Sequence, residues 1–378
     1  QRLVTTMTGS DALTYNIAFA SYRNITVGTA RRFHDLGISP RDFFENDARK
    51  LSAITGLREI FFDDARRQKT LESARRECNF VTANNVKAIF AGDDHYPTRL
   101  AQCDDAPAVL FTLGNACHDA AHVVSIVGTR HCTNYGAEFA ERLVCDLAEM
   151  LDKVVIVSGL AYGIDICAHR AAIKAGIPTG AVLAHGLSTI YPAEHRNDAR
   201  RIIAEGGFLM TEYASDAQIH RGNFLARNRI VAGLADVTVV VESDLRGGAM
   251  TTAHIAAAYD REVMAAPGRA TDQYSRGCNA LIARREASII RDAADLVELM
   301  NWTVRPAEGT QQELPLLTPE QSSLLQLIID KPMQTVNDLC AATGLPVQHL
   351  STLLFDLEMG DMIVTLPGGR YAPVLSAR

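Results

Sequence analysis

The sequence has no long apolar run, and this argues against a helix that spans a membrane. Apolar segments such as VTVVV at 237–241 fall far short of the roughly 20 residues needed to cross a bilayer. The first residues also lack the apolar core of a secretory signal peptide. From these two absences we predict a cytoplasmic protein without a membrane partner.

Closely spaced cysteines are lacking as well. No two of the eight cysteines lie nearer than the 13 positions between Cys132 and Cys145. The CxxC pairs of structural zinc sites are therefore absent, and a disulfide framework is not expected in so long a chain. Cys117, His118 and His122 come near one another, but their spacing alone does not complete a metal site. We predict reduced thiols and no bound metal.

A surplus of positive charge is also missing. The chain has 37 Lys and Arg against 44 Asp and Glu, a net charge of −7. Residues 1–121 carry 15 basic and 15 acidic groups, residues 122–300 carry 18 and 21, and residues 317–378 carry 3 and 6. Because binding of a polyanion depends on local charge, any such site must be a focused cluster of cations.

What the sequence does contain is a regular alternation of short β-branched runs with amphipathic helical stretches. Between the first two runs, for example, Ala140, Leu143 and Leu147 share one helical face. This alternation is typical of an α/β fold with a Rossmann-like, doubly wound parallel sheet, whose ligand lies beyond the carboxyl ends of the strands. The predicted strands are 123–127, 154–157, 180–184, 208–211, 237–241, 262–265 and 287–290.

Smaller domains flank this core. Helical spacing broken by glycines predicts an N-terminal helical domain of the SAM or helix-hairpin-helix kind, with a connector, over 1–121. The Rossmann-like domain is assigned to 122–300, and a Pro-, Gly- and polar-rich linker to 301–316. In 317–378 a helix, a helix-turn-helix pattern and a predicted hairpin follow one another in the order of a winged helix.

The candidate recognition helix of the winged helix has an unusual charge. Residues 347–359 contain no Lys or Arg and include Asp356 and Glu358. A winged helix that reads duplex DNA needs cations along the helix in the major groove. We therefore predict that this domain does not bind DNA and has a protein-contact or autoregulatory role.

Four glycine-bearing loops follow predicted strands and could carry chemistry. In the first, Gly128 and Thr129 lie between strand and helix, where backbone N–H groups could hold a phosphate that Arg130 neutralises. Each loop alone also fits a simple tight turn. The GxGxxG pattern is missing, so no dinucleotide or other cofactor is predicted. The loops are GTRHCTNYG (128–136), SGLAYGID (158–165), HGLSTIYP (185–192) and ESDLRGGAMTTA (242–253).

A fifth segment, HRGNFLARNRIVAGLAD at 220–236, places arginines around an aromatic ring. Guanidinium groups bind phosphates and a ring stacks on a base, so this composition suits a single nucleic-acid strand. The alternative is that Phe224 belongs to the core and the arginines pair with carboxylates such as Glu212 and Asp236. The arginines in question are Arg221, Arg227 and Arg229.

Evidence for catalysis is weak. Asp165 could be a general base, but it could equally be an acceptor that fixes the adjoining glycine turn. His185 and His195 are interpreted as loop packing, and Ser158 lacks the GxSxG elbow of a hydrolase. We predict that the protein is not an enzyme.

Taken together and in order, these segments resemble the bacterial DNA-processing protein A family, also called Smf. The resemblance is strong over about 125–300 and lies in IVGTRHCTNYG, VVSGLAYGIDICAHRAAIKAG, GLSTIYPAEHRNDARRI, NFLARNRIVAGLADVTVVVES, GGAMTTAHIAAAYDREVMAAPG and GCNALI. It implies a cytoplasmic, non-enzymatic protein that binds single-stranded DNA in natural transformation. It further implies a homodimer formed through the Rossmann-like domain and loading of the RecA recombinase onto the strand.

The resemblance also implies a set of DNA-binding residues, and the chain departs from the common pattern in three places. Tyr162 stands where the family often has an arginine, GGA at 247–249 stands where it often has SGS, and FLARNR stands where many members have FP before RNR. The implied residues are Gly128, Thr129, Arg130, Arg221, Gly222, Asn223, Phe224, Arg227, Asn228, Arg229, Gly247, Gly248, Met250, Thr251 and Thr252.

Two other functions remain open from the sequence. A Rossmann-like protein that binds nucleotides or cleaves nucleoside monophosphates could use a similar glycine-loop pocket. It would need an acidic catalytic residue beside a PGGxGT-like element, whereas LPGG at 366–369 occurs only in the predicted wing. A protein scaffold with a vestigial pocket is the third possibility.

Overall fold

The structure is a computed structural model that describes residues 9–23, 25–115, 117–305, 318–360, 362–366 and 369–373. It divides the chain into two compact units, Gln1–Arg305 and Pro306–Arg378. Most of the predicted linker, at 306–316, lies outside the described residues. Within the described part, no helix is both long and apolar enough to cross a membrane.

The first unit begins with helices around an aromatic core. Phe19, Phe33, Phe43 and Phe62 are buried, and most of their rings meet edge to face, which suits the quadrupoles of aromatic rings. The predicted N-terminal helical region is therefore present. Its helices are α1 (Gly9–Ala20), α2 (Val27–Asp35), α3 (Pro40–Glu45), α4 (Ala48–Thr55) and α5 (Asp64–Ala83).

A nine-stranded sheet forms the centre of the first unit. The strands are β1 (Lys87–Phe90), β2 (Val109–Gly114), β3 (His122–Val127), β4 (Val154–Ser158), β5 (Thr179–Val182), β6 (Phe208–Thr211), β7 (Val237–Val240), β8 (Glu262–Ala265) and β9 (Ser288–Ile289). Their order is β1-β2-β6-β5-β4-β3-β7-β8-β9. Every predicted strand is found, as β3 to β9, and these seven are parallel.

The strands β1 and β2 correct the predicted topology. They pair antiparallel with each other, and β2 pairs antiparallel with β6, so the sheet is mixed rather than wholly parallel. β1 is short, begins with Lys87 and buries only one of its four residues, so it lacks the apolar run that marks a fully buried strand. The boundary predicted between residues 121 and 122 falls inside this sheet.

The chain changes direction across the sheet at β3. From β3, the strands β4, β5 and β6 are added on one side, whereas β7, β8 and β9 are added on the other. The loops that follow β3 and β7 therefore diverge and leave a crevice between them. In open α/β sheets this switch point is where ligands bind.

Helices cover both faces of the sheet. On β3, Val123 and Val127 enter one apolar cluster, whereas Val124 and Ile126 enter the other, which is the alternation of a strand buried on both sides. The helices are α6 (Asn134–Met150), α7 (Ile164–Lys174), α8 (Arg196–Ala204), α9 (Arg221–Leu234), α10 (Gly248–Ala258), α11 (Arg276–Ala283) and α12 (Ala293–Leu299).

The second unit is the predicted winged helix. Thr318 and Thr335 each form a capping box at a helix start, and Gly344 ends the second helix with a φ of 70°. Its elements are α13 (Pro319–Asp330), β10 (Gln334–Thr335), α14 (Val336–Thr343), α15 (Val347–Met359), β11 (Ile363–Leu366) and β12 (Arg370–Pro373). Residues 367–368 of the wing lie outside the described residues.

Candidate nucleic-acid interface

A cleft of about 870 Å³ opens at the switch point, beyond the carboxyl ends of β3 and β7. The loop after β3 and the first turns of α9 and α10 border it. The structure thus brings together segments that lie far apart in the sequence. The predicted residues that line the cleft are Gly128, Thr129, Arg130, Arg221, Phe224, Arg227, Asn228, Gly247, Gly248, Thr251 and Thr252.

The loop after β3 is held between α7 and the loop that follows β7. The N–H of Thr129 donates to the carbonyl of Glu242 at 2.7 Å, and the carbonyl of Thr129 accepts from the N–H of Ile164 at 3.2 Å. Gly163 has a φ of 75°, and a Cβ there would lie 2.1 Å from the Thr129 carbonyl oxygen. Only glycine allows this close approach. As a result, Arg130 is presented at the edge of the cleft.

Phe224 faces the cleft and is not part of the apolar core. Its ring is half-buried, and the guanidinium carbon of Arg130 lies 5.3 Å from the ring centroid. The ring of Tyr191 lies 5.7 Å away at an interplanar angle of 63°. Arg221 precedes Phe224 by one helical turn and lines the same cleft. Arg130, Arg221 and Phe224 therefore share one face of the molecule.

Arg227 forms part of the buried floor of the cleft. Its side chain is 4% exposed, and one guanidinium nitrogen donates to the carbonyls of Gly159, at 2.6 Å, and Val182. Burial raises the pKa of the neighbouring Asp165, while the charge of Arg227 and the N–H donors of Ala161 and Gly159 oppose this shift. Arg227 therefore holds α9 against the ends of β4 and β5, so its guanidinium is already bonded within the protein.

Arg229 does not reach the cleft. It pairs with Glu212 at 2.5 Å, as the alternative interpretation of the arginines expected. Asp236, the other carboxylate considered, pairs with Arg99 at 2.6 Å. A side chain that is tied to a carboxylate away from the cleft is not placed to hold a phosphate, so we leave Arg229 out of the contacts proposed below.

Three further residues of the predicted set lie off the cleft. Met250 is buried in the apolar cluster beneath α10. Gly222 and Asn223 lie at the start of α9, where the side-chain amide of Asn223 donates to the carbonyl of Gln218 at 3.3 Å. Gly222 and Asn223 lie between Arg221 and Phe224 in the sequence, but they are not part of the cleft lining.

The first turn of α10 is open to the cleft. Its N-cap is Gly247, and no side chain caps the helix. The first N–H groups of a helix have no partner within the helix, and together with the helix dipole they favour an anion. Thr251 and Thr252 lie one turn further along the same helix and also line the cleft. This end of the cleft is therefore suited to a phosphate group.

Several lining residues were not predicted from the sequence. Arg246 is exposed and directly precedes Gly247 and Gly248 in the glycine-bearing loop at 242–253. A cation before a helix that opens with glycine was the signal available in the sequence. Within the described residues, Arg130, Arg221 and Arg246 form no ion pair with a carboxylate. Asp244 also lines the cleft, but a hydrogen bond from Gln273 lowers its pKa, and Arg276 pairs with it at 3.3 Å. The unpaired charge of the cleft is therefore positive.

The residues considered for catalysis hold loops in place. Asp165 accepts from the N–H groups of Gly159 and Ala161, at 3.2 and 3.4 Å. The imidazole of His195 bonds to the Leu160 carbonyl at 2.8 Å, and the hydroxyl of Ser158 donates to a strand carbonyl at 2.6 Å. Among the residues described, no group of three or more His, Cys, Asp or Glu side chains could hold a metal ion.

Comparison with known proteins places the chain among DNA-processing proteins. A family model described as DNA recombination-mediator protein A matches residues 87–301, and the DprA winged helix domain matches residues 306–369. The putative DNA processing protein DprA of Mycobacterium tuberculosis (strain ATCC 25618 / H37Rv) is 36% identical over 303 residues, which cover 76% of this chain and 77% of that protein. Protein Smf of Escherichia coli (strain K12) is 33% identical over 294 residues, which cover 75% and 77%.

Two solved structures share the fold. DNA processing protein A from Streptococcus pneumoniae matches with a TM-score of 0.63 and 28% identity, over 78% of this chain and 98% of that one. DNA processing protein A from Helicobacter pylori matches with a TM-score of 0.51 and 29% identity, over 57% and 95%. The second structure is described as giving insight into a unique single-stranded DNA binding mode of that protein.

We predict that Arg227→Ala lowers the free energy of unfolding by about 1 to 3 kcal/mol or more, because it leaves the buried carbonyls of Gly159 and Val182 without their donor. Urea unfolding followed by circular dichroism measures this loss. Arg221→Ala, at an exposed position in the same helix, is the matched control and should change stability by less than about 0.5 kcal/mol. An Arg227→Ala variant of unchanged stability would contradict the structural role.

Proposed function

Because this chain belongs to the DNA recombination-mediator protein A family, we propose that it binds single-stranded DNA in the cleft at the switch point and acts as a recombination mediator without catalysing a reaction. The observation that supports this most is the convergence of Arg130, Arg221 and Phe224 on one cleft. The single-stranded DNA binding mode of the Helicobacter pylori relative supports it further.

In this proposal, the phosphates lie along the glycine-lined edge of the cleft. Arg130, Arg221 and Arg246 supply unpaired charge, and the open first turn of α10 supplies N–H donors. Charge placed in this way acts over a distance of about 8 Å at physiological salt, so the overall charge of −7 does not prevent local attraction of a strand.

The base contact in this proposal is made by Phe224. In the unliganded protein, Arg130 lies over its ring. A cation that stacks on an exposed ring is held by only about 0.5 to 1 kcal/mol, so a base can displace it at little cost. The displaced guanidinium would then be free to bind the adjoining phosphate. In this way the ring of Phe224 would contact the base of a nucleotide, and the guanidinium of Arg130 would contact its phosphate.

The wider role follows from the family. We propose that the protein acts in the cytoplasm during natural transformation, protects the incoming strand and loads the RecA recombinase onto it. We further propose that it forms a homodimer through the Rossmann-like domain, so that two clefts serve one strand. The proposed contact set is Gly128, Thr129, Arg130, Arg221, Phe224, Asn228, Gly247, Gly248, Thr251 and Thr252, with Arg246 added.

The nucleotide-cleaving alternative has less support. It needs a carboxylate in the cleft that is free to act on the glycosidic bond, but Asp165 accepts two backbone N–H groups beside Arg227. Asp244 is bonded by Gln273 and paired with Arg276. A nucleoside monophosphate therefore serves as a competitor in the binding experiments, where weak competition is expected of a site built for a strand.

We predict that Arg130→Ala and Arg221→Ala each flatten the salt dependence of binding. Each phosphate contact contributes about −0.7 to the slope of log affinity against log salt for a single strand, so each variant should lose about that much. Fluorescence anisotropy of a labelled oligothymidylate over a salt series measures the slope. Arg142→Ala, exposed on α6 and away from the cleft, is the control. A wild-type slope near zero would refute the proposal.

We predict that Phe224→Leu weakens binding of oligothymidylate by about 1 to 3 kcal/mol and leaves the salt slope unchanged, because stacking is lost while the phosphate contacts remain. The same titration reports both quantities. Phe224→Tyr keeps the ring and should bind more tightly than Phe224→Leu. Equal affinity of wild type and a folded Phe224→Leu variant would assign the ring to packing alone.

We predict that the winged helix does not bind duplex DNA. The exposed side of α15 presents Phe355 and Met359, which are 61% and 72% exposed, and α15 has no Lys or Arg. Residues 317–378 include a separate apolar core, so they can be titrated alone with labelled duplex at two salt concentrations. We expect no saturable binding. Tight, salt-sensitive binding would show that the domain reads DNA despite its charge.

A further inference from the structure

The cleft continues outward into a row of exposed aromatic rings. Tyr191 lines the cleft and contacts Phe224, and it is 43% exposed. Tyr162, 40% exposed, directly follows Ala161 of the cleft lining. Phe224, Tyr191 and Tyr162 form the aromatic row: the first two line the cleft, and the third follows a lining residue.

Both tyrosines are held in place from the protein side. The Tyr162 hydroxyl donates to Glu194 at 2.7 Å, and its ring packs edge to face on His195, with centroids 5.0 Å apart. The N–H of Tyr191 donates to the buried His185 at 3.2 Å. Rings that are ordered before binding lose little conformational entropy when a ligand stacks on them.

The geometry of the row leaves ring surface free. In an edge-to-face pair, the edge of one ring covers the face of the other, so the first ring keeps both of its own faces clear of that partner. The tilt of 63° between Tyr191 and Phe224 is of this kind. A flat, uncharged ligand group can therefore stack beside Phe224 without separating the pair.

The negative charge of Glu194 beside the row favours an uncharged base over a phosphate at this position. The carboxylate of Glu194 is bonded to Tyr162 and would repel a phosphate. The unpaired arginines instead lie around the cleft. A strand in the cleft would therefore keep its backbone on the arginine side and turn its bases toward the tyrosines.

We propose that Tyr191 and Tyr162 form a second stacking subsite for nucleobases, adjacent to Phe224, so that the cleft and the row together bind several consecutive nucleotides. This inference rests on the proposed function. It assigns base contacts to two tyrosines of the glycine-bearing loops at 158–165 and 185–192, neither of which belongs to the predicted set of DNA-binding residues. Its ligand is the nucleobase of a single strand, with no preference among bases required, since each base offers a π-face.

The test compares a strand that has bases with one that has none. Tyr191→Leu and Tyr162→Leu should each weaken binding of oligothymidylate at least about fivefold, which corresponds to about 1 kcal/mol. Binding of an abasic oligonucleotide of the same length should change much less, and the salt slope should stay as in wild type. The Tyr→Phe variants keep the rings and should bind more tightly than their Leu counterparts.

A matched control and a direct readout complete the experiment. Tyr135→Leu removes another exposed tyrosine, one whose hydroxyl donates to Pro267 and which does not line the cleft, and it should bind as wild type does. Circular dichroism verifies that each variant is folded. Photocrosslinking of wild type to an oligonucleotide that contains 5-iododeoxyuridine should give adducts on peptides that include Tyr191 or Tyr162.

The outcomes separate this inference from the function on which it rests. If wild type binds no single strand, the proposed function fails. A different result refutes the subsite alone. In that case wild type binds the strand and Phe224→Leu weakens binding, but Tyr191→Leu and Tyr162→Leu bind oligothymidylate as wild type does and no adduct forms on either tyrosine. The proposed binding of the strand in the cleft would then still hold. Equal losses on thymidylate and abasic strands would also refute stacking.

Discussion

The geometry of the candidate interface depends on one buried guanidinium, that of Arg227. It joins α9 to the carbonyls of Gly159 and Val182 at the ends of two neighbouring parallel strands, with Asp165 close by. A buried cation is costly unless it is paired and hydrogen-bonded, so this network has few alternative arrangements. Because Arg221 and Phe224 lie one to two turns before Arg227 on α9, fixing Arg227 also fixes them over the cleft. The positions of Arg221 and Phe224, which are proposed to touch DNA, thus depend on the buried bonds of Arg227.

This arrangement explains how an acidic chain can offer a site for a polyanion. Elsewhere in the first unit, arginines such as Arg229 and Arg99 are paired with carboxylates. In the cleft, Arg130, Arg221 and Arg246 have no such pair among the described residues, and the nearby carboxylates are buried beside a cation or bonded to neighbouring side chains. Local imbalance of charge, and not the sum over the chain, sets the attraction for a strand.

The sequence predicts the strands of the parallel sheet well and the roles of single arginines poorly. β3 to β8 are apolar runs buried at all or all but one of their residues, so composition alone reveals them. β1 escapes notice because it is short and half-exposed. The glycine loops also locate the cleft, since the carboxyl ends of parallel strands must share one edge of the sheet.

The three arginines of one segment show why the contact set cannot be derived from spacing. Arg221, Arg227 and Arg229 have the same chemistry and lie within nine residues of one another. Their fates differ because the partners of Arg227 and Arg229 are Gly159, Val182 and Glu212, which only the tertiary fold brings close. A sequence pattern can state that cations are present, but it does not show which of them remain unpaired.

The glycine-bearing loop at 242–253 shows how the chain can keep a phosphate site although residues 247–249 lack hydroxyl groups. A Cβ at Gly247 would lie 2.3 Å from the hydroxyl oxygen of Ser243, and Ala249 is buried. Side-chain hydroxyls at these two positions would therefore crowd the loop or point into the core. The donors that remain are the N–H groups at the start of α10 and the hydroxyl of Thr251, which lines the cleft, whereas the hydroxyl of Thr252 donates to the carbonyl of Gly248 at 3.4 Å. Because backbone N–H groups can hold a phosphate whatever the side chains of the loop are, the loop needs no hydroxyl groups for this. Specificity for a single strand then depends on the aromatic rings and arginines that face the loop.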